Sequence, residues 1–506
     1  MGGKNESAES PTCEEECDGE AKSRREFLYK AGLMAGGIGL LSLSYGLSWA
    51  AEPQNCAFTR ASTSPVSFQP DDTVAVRTRK SASALTQAEA QRLKDAYAAL
   101  RRLSRARPTD PRGWLRQANV HCWYCGGGLN GRAGEEIHGG WWFFPWHRCY
   151  LYFHERILGN LIDDPTFTLP YWEWDQSANR RMPATYTNPN NATNSLFDAN
   201  RGRTPTSTLP ASIVGSQVMT QVMASPTAQL FMGTDAGDPN AQGGSLENGP
   251  HGAVHIWTGT SFQSPQQGQD MGVLSTAAQD PLFFAHHANI DRLWEVWLRS
   301  LPTHRNPADS AWLTHRWTFF DERGRWTSMS VADVLDTENS LRYRYEDVGP
   351  RALAMDEGRT ETRVTLGPNA ITRTIPVPEE LHAKIMREPK VPETEPAHEY
   401  VLHIEGVQLP EHRSAIVHVF GNLPPGEKTA TLDSPTYLGY FAIVPKTTKA
   451  GGRKPSHRHI ALQVSPRIRD LLKEKKDLSV TLVPVTADGK PSPNKLGVGK
   501  LYLSED

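Results

Sequence analysis

Apolar residues recur at helical spacing through the first two thirds of this chain and in short continuous runs near its end. Thr86-x-x-Glu89 is a capping box, and Leu93, Tyr97, Leu100 and Leu103 follow it on one helical face. Pro108-Thr109-Asp110-Pro111 ends that helix, and a second, short one is expected from Gly113 to His121. The aromatic run Trp141-Trp142-Phe143-Phe144-Pro145-Trp146 leads to His147, which opens a helix carrying Leu151, Phe153, Ile157, Leu158 and Leu161. Asp280-Pro281-Leu282-Phe283-Phe284-Ala285-His286-His287 leads into a further amphipathic helix through Ala288 to Trp294, with histidine in its first turn. Residues 51 to about 80 read as an extended arm, and 176 to about 245 as a long irregular excursion over the surface, rich in Asn, Thr, Pro and Ser. Residues from about 350 to 397 have a linker composition. Beyond them 400–404, 415–420 and 478–483 read as strands separated by turn residues.

At 506 residues the chain exceeds one compact domain, and a formal charge of −2 gives no electrostatic case for nucleic acid. Arg24-Arg25 precedes an apolar, glycine-rich stretch that ends at Ser48-Trp49-Ala50. That order matches a twin-arginine export signal over residues 1–50, which implies a periplasmic or extracellular protein with no membrane attachment after signal removal. Of six cysteines, Cys13 and Cys17 would leave with the leader. Cys56–Cys122 is then a candidate disulfide. Cys122-x-x-Cys125 lacks the second pair that a zinc site needs, and Cys149 reads as a small buried apolar residue. The glycine-rich loop from Gly126 to Gly134 has no Lys-Ser/Thr after it and is not a phosphate loop.

Taken singly, His147 reads as a core histidine with a satisfied hydrogen bond. The other histidines change that. His121, His138 and His147 fall in one cluster, and His251, His255 and His287 in a second. His251 and His255 are four apart and share a helical face. A zinc protease would need Glu after the first of them, where Gly252 stands. A di-iron bundle needs a Glu-x-x-His motif from each of two helices, and the clusters do not supply that set, so this reading is set aside. Neutral imidazoles suit a metal cycling between Cu(I) and Cu(II), and two such coppers could hold O2 between them.

Between Gln117 and Trp297 the chain resembles the type 3 copper family of tyrosinases and catechol oxidases, closest to its plant polyphenol oxidase branch. His138-x4-Phe143-Phe144-Pro145-Trp146-His147-Arg148-x6-Glu155 resembles the first copper signature, and Asp280-Pro281-x-Phe283-Phe284-x-x-His287-x3-Asp291 the second. The resemblance implies that His121, His138 and His147 bind one copper and His251, His255 and His287 the other, with His286 outside both sets. It implies a thioether from Cys125 to His138, and it matches Glu247 to a buried glutamate that holds a water near the second copper. Gly252 stands where monophenol hydroxylases often carry Asn, which favours diphenol oxidation. Leu274 replaces a bulky aromatic gate, so access should be wider. Trp312-Leu313, Phe319-Phe320-Asp321-Glu322 and Tyr343-x-Tyr345 resemble the segment that follows the copper domain in plant polyphenol oxidases.

The implied architecture is a mainly α copper domain, a four-helix bundle with long loops holding a dicopper site, followed by a C-terminal β-sandwich. Its bounds are 51–348 for the copper domain (with the plant-like segment at 308–348), 349–397 for the linker and 398–506 for the capping sandwich. The implied activity is oxidation of o-diphenols to o-quinones with O2 as co-substrate, latent until a protease releases the cap. The rivals are a tyrosinase that also hydroxylates monophenols and a haemocyanin-like O2 carrier. His403, His412, His418, His457 and His459 match no ligand pattern and are assigned to the surface or to strands.

Overall fold

The structure, a computed structural model, describes residues 64–125, 136–235, 241–259, 269–348, 362–387, 399–410, 413–446 and 458–505. Helix Gln87–Ala106 is capped as its sequence dictates: the Thr86 hydroxyl accepts from the Glu89 N–H, and the Glu89 carboxylate accepts from the Thr86 N–H at 2.8 Å. Its buried face of Leu93, Ala96, Tyr97 and Leu100 packs against helix Phe143–Leu161, which packs in turn on helix Leu282–Ser300. Helix Trp114–Tyr124 lies against the first of these and against the short turn Leu274–Gln279. Each fully buried Leu or Ile on these faces contributes about 1.5–3 kcal/mol of transfer free energy.

Both aromatic-led helices begin earlier than the sequence suggests. The first starts at Phe143 and the second at Leu282, so His147 and His287 lie in their second turns rather than their first. A proline early in the first helix (Pro145) needs no intrahelical N–H partner, which lets the helix extend upstream of its histidine.

The excursion at 176–245 is not a surface loop. Short helices at Ala211–Val214, Ser216–Met223 and Ala228–Met232 bury Ile213, Val214, Met219, Phe231 and Met232 in the main core. The arm before residue 80 is also partly built in. Arg77–Arg79 forms a parallel strand with Tyr343–Tyr345, burying both arginines.

The C-terminal region is a sandwich of two antiparallel sheets. One orders Tyr437–Ile443, Ala415–Gly421, Asp477–Val485 and Ile371–Pro376; the other orders Arg458–Gln463, Tyr400–Val407 and Leu501–Glu505. Strand Ala415–Gly421 is buried along its whole length because both its faces are covered. Val417 and Val419 face the sandwich core, whereas Ile416 and Phe420 join the core of the helical region. That two-sided burial is why the strand reads as a continuous apolar run. His403 and His418 lie in these strands and are buried, and His459 lies in the Arg458–Gln463 strand; His412 and His457 are outside the described residues.

The expected linker at 349–397 needs correction. Arg363–Thr365 pairs with Thr429–Thr431, Ile371–Pro376 forms the edge of the four-stranded sheet, and Glu379–Arg387 is a helix packed on Ser465–Leu472. Its proline and charged residues concealed the strands because an edge strand exposes alternate polar positions. No helix among the described residues is long and apolar enough to cross a membrane.

Candidate metal centre

Seven buried histidines gather between the helices. Ring nitrogens of His121, His138 and His147 lie within 4.8 Å of one another, and so do those of His251, His255, His286 and His287. His147 and His287 stack at 4.1 Å with an interplanar angle of 9°, and His138 and His251 stack at 6.0 Å, so the two groups face each other. In the first group His121 and His147 are helical and His138 is in a loop. The second group is wholly helical, because Glu247–His251 forms a π-turn that runs straight into helix Gly252–Thr258. The first group thus mixes loop and helical residues, and the second does not.

Three backbone carbonyls fix the tautomers. Nδ1 of His147, His251 and His255 lies 2.7, 3.2 and 3.0 Å from the carbonyls of Phe143, Glu247 and Met271. A carbonyl only accepts, so each Nδ1 carries the hydrogen and each Nε2 presents a lone pair. All three Nε2 atoms are buried without a partner among the described residues, as are both ring nitrogens of His121 and His287 and Nε2 of His138, whose Nδ1 lies 3.6 Å from Glu136 Oε1. Burial drives these imidazoles below their ordinary pKa range, His255 to about 3, with neighbouring imidazoles adding to the effect around His121, His147, His251 and His287. They stay neutral. A dry set of aimed, unpaired imidazole lone pairs fits two copper ions and would be costly without them.

Behind the histidines lies a charge network that joins the helices carrying them. Asp291 accepts from Tyr343 and Tyr345 hydroxyls, each at 2.6 Å, and from Arg148 Nε at 2.6 Å. Arg148 also reaches Glu295 at 2.8 Å, and Arg79 donates to Glu155 at 2.8 Å while lying 3.6 Å from the Tyr343 ring centroid. Burial would raise the Asp291 carboxyl, but the two arginines and two hydroxyls hold it below the usual range. Tyr343-x-Tyr345 thus anchors both histidine helices. The part played by Arg79 carries no sequence signal, since it lies 76 residues from Glu155.

Glu247 accepts from the Gly139 N–H at 2.7 Å through Oε1, while Oε2 is buried without a partner. Burial pushes its carboxyl up to about 8. It lines a cavity of about 130 Å³ with His138, His251, Gly252 and Leu274, and the C-terminal sandwich supplies other walls: Ala442, Val444, Lys446 and Arg458. Val444 packs with Leu274 and Cys125. Leu274 and Ser275 N–H groups donate to the carbonyls of Pro445 and Lys446, both at 3.0 Å, and Lys446 Nζ pairs with Glu136 at 2.7 Å. The sandwich is also seated on the former excursion: Tyr440 donates to Ile213 O, and Gln221 to Leu438 O at 2.8 Å. Sequence reasoning missed Glu136, Lys446 and Arg458, which no local pattern marks.

A Cβ placed on Gly252 would stand 3.0 Å from Ala442 Cβ and 3.3 Å from Val444 Cγ2. The Cys125 thiol is free and fully buried at the end of helix Trp114–Tyr124; Cys149 is likewise a free, buried thiol. Cys122 is disulfide-bonded, and Cys56 lies outside the described residues.

Comparison with known proteins agrees with this geometry. The chain matches the common central domain of tyrosinase at residues 111–229 and 180–300, the polyphenol oxidase middle domain at 306–354, and the chloroplastic polyphenol oxidase C-terminal domain at 379–493. It is 33% identical over 480 residues to the latent form of a chloroplastic polyphenol oxidase from Prunus armeniaca, covering 86% of this chain and 77% of that protein. Among solved structures, latent apple tyrosinase superposes with a TM-score of 0.70 at 29% identity, over 87% of this chain and 100% of its own. Latent aurone synthase, a polyphenol oxidase, gives 0.72 at 27% identity, over 91% and 95%.

The same relatives overturn the export reading. The Prunus armeniaca protein is chloroplastic, as are polyphenol oxidases from Malus domestica and Ipomoea batatas. Paired arginines ahead of an apolar stretch are a short pattern that targeting leaders of several kinds can carry. The twin-arginine signal and the periplasmic or extracellular location are therefore withdrawn; residues 1–50 lie outside the described residues. From the two imidazole groups, the three matched family regions and the length of the shared chain, this protein belongs to the tyrosinase family, in its plant polyphenol oxidase branch.

Proposed function

We propose that His121, His138 and His147 hold one copper and His251, His255 and His287 the other, in a catechol oxidase kept latent by its C-terminal sandwich. The observation that carries this reading is the set of buried, neutral imidazoles whose lone pairs point inward without partners. When bound, the copper pair supplies the redox chemistry by which two o-diphenols pass four electrons and four protons to one O2, giving two o-quinones and two waters.

The chain's own residues set the conditions. Phe143, Phe283 and Trp146 crowd the imidazoles and exclude water. Gly139 fixes one oxygen of Glu247, so that Oε2 of the ionised carboxylate can take a diphenol proton, directly or through a water. Cys125 joined to His138 by a thioether would restrain the one imidazole of its group that lies in a loop. Leu274 borders the entrance and is held by the backbone of 445–446, so the access that a small gate gives is available only after the sandwich leaves.

The test is oxygen uptake by copper-loaded protein with a catechol, before and after cleavage between residues 348 and 363. Uptake that rises on cleavage supports the reading; no uptake with two coppers bound refutes it. His255→Ala should remove one copper and all oxidase activity. Peptide mass mapping should find Cys125 and His138 crosslinked, and two unmodified peptides would dismiss the thioether.

A second reading, hydroxylation of monophenols as well, is favoured by the similarity to latent apple tyrosinase. Gly252 lines the cavity, and its contacts with Ala442 and Val444 belong to the latent form alone. Uptake with a simple monophenol would establish it.

A further inference from the structure

Four imidazoles, not three, lie at ligand spacing in the second group. His286 is wholly buried, its ring parallel to His251 at 5.4 Å and edge-on to His255 at 5.0 Å. Distance alone does not say why the copper should ignore it. The answer lies in Tyr171-Trp172-Glu173-Trp174-Asp175, an aromatic motif for which neither copper binding nor latency accounts.

Trp174 Nε1 donates to His286 Nδ1 at 3.1 Å. An indole N–H can only donate, so Nδ1 must be the acceptor, which makes the ring neutral with its hydrogen on Nε2. Neither nitrogen then has a lone pair to offer a metal. Nε2 points into the group with no partner among the described residues. The donor is itself fixed on the histidine helix from both sides. Trp172 N–H bonds the Ala285 carbonyl at 2.9 Å, and Asp175 is held by Arg292 at 2.7 Å and Asn289 at 2.9 Å.

We propose that Trp174 is a positioning residue that locks His286 as its Nε2–H form, keeping the second copper at three imidazoles with a coordination position open to O2 and diphenol. The inference rests on the dicopper reading above. Loss of the lock would let His286 close that position as a fourth ligand.

The test compares copper-loaded wild type with Trp174→Phe, His286→Gln and the double variant. The readouts are copper content, X-ray absorption and the rate of copper loss to a chelator. Trp174→Phe keeps the aromatic bulk and removes the N–H. It should show a fourth imidazole at one of the two coppers, slower copper loss, and a kcat with catechol lowered roughly 10- to 100-fold. His286→Gln should keep both coppers, and the double variant should return to three imidazoles at each. In addition, nitrogen-15 spectra of the copper(I)-loaded wild type should show His286 protonated at Nε2, a readout that does not depend on any variant folding. Two coppers in the wild type with unchanged coordination in Trp174→Phe would overturn the lock alone, as would an Nδ1-protonated His286 or loss of a copper in His286→Gln. A wild type that binds no copper would overturn the dicopper reading and the lock with it.

Discussion

Adding one methyl group at Gly252 should break latency without touching the metal centre. The new Cβ would stand 3.0 Å from Ala442 Cβ and 3.3 Å from Val444 Cγ2, while the next nearest atom, Glu247 O, is at an ordinary 3.6 Å. The clash is thus confined to the sandwich. Overpacking of this kind costs about 1–3 kcal/mol. The better helix propensity of Ala, worth up to about 1 kcal/mol, applies equally with the sandwich seated or released, so it cancels. The open population of the uncleaved chain should therefore rise roughly 5- to 150-fold. Catechol-driven oxygen uptake by uncleaved Gly252→Ala should increase accordingly, and the cleaved forms of variant and wild type should match. Ala442→Gly should restore latency in the double variant. An uncleaved Gly252→Ala as silent as wild type, or a double variant that stays active, would refute the steric argument.

Asp291→Ala leaves Arg148 and Arg79 buried with half their partners and should destabilise the chain by about 3–5 kcal/mol, read by denaturant unfolding. In metal-free protein the Glu247 carboxyl, raised by burial from an ordinary value to about 8, favours the fold while it is protonated. That contribution is complete below the unfolded pKa and is lost as pH rises through about 8. Metal-free Glu247→Gln should therefore gain stability relative to wild type across that window, by roughly 4 kcal/mol at its top; parallel pH profiles would reject the assignment. Protease sites placed in turn before Arg363 and after Arg387 should behave differently. The first frees the sandwich, whereas the second leaves strand Ile371–Pro376 paired with Asp477–Val485 and the enzyme still latent; equal activation at both sites would contradict the sheet order.

The six histidines proposed as ligands were legible in sequence because their environments are local. His147 follows its own aromatic wall and His255 follows His251 by one helical turn, whereas His138, in a loop, is marked only by the motif around it. The helical bundle and the strands at 400–404, 415–420 and 478–483 were readable for the same reason. Long-range partners were not. Arg79 finds Glu155 and Asp291, Trp174 finds His286, and Lys446 finds Glu136 across separations that leave no periodic trace. Strand Ile371–Pro376 escaped because its outer face is polar, and its pairing with Asp477–Val485 appears only when the sheet is assembled. Gly252 carries a contact that its local sequence does not mark: besides lining the cavity, it packs against a residue 190 positions later.

The two bonds from Leu274 and Ser275 to the carbonyls of Pro445 and Lys446 are made by main chain on both sides. Any amino acid at 445 or 446 presents the same carbonyl, and any but proline at 274 or 275 presents the same N–H. Side chains at these four positions can therefore change while the two bonds persist, so a substitution that opens the site has to act beside the seam, on packing such as that of Gly252 against Ala442.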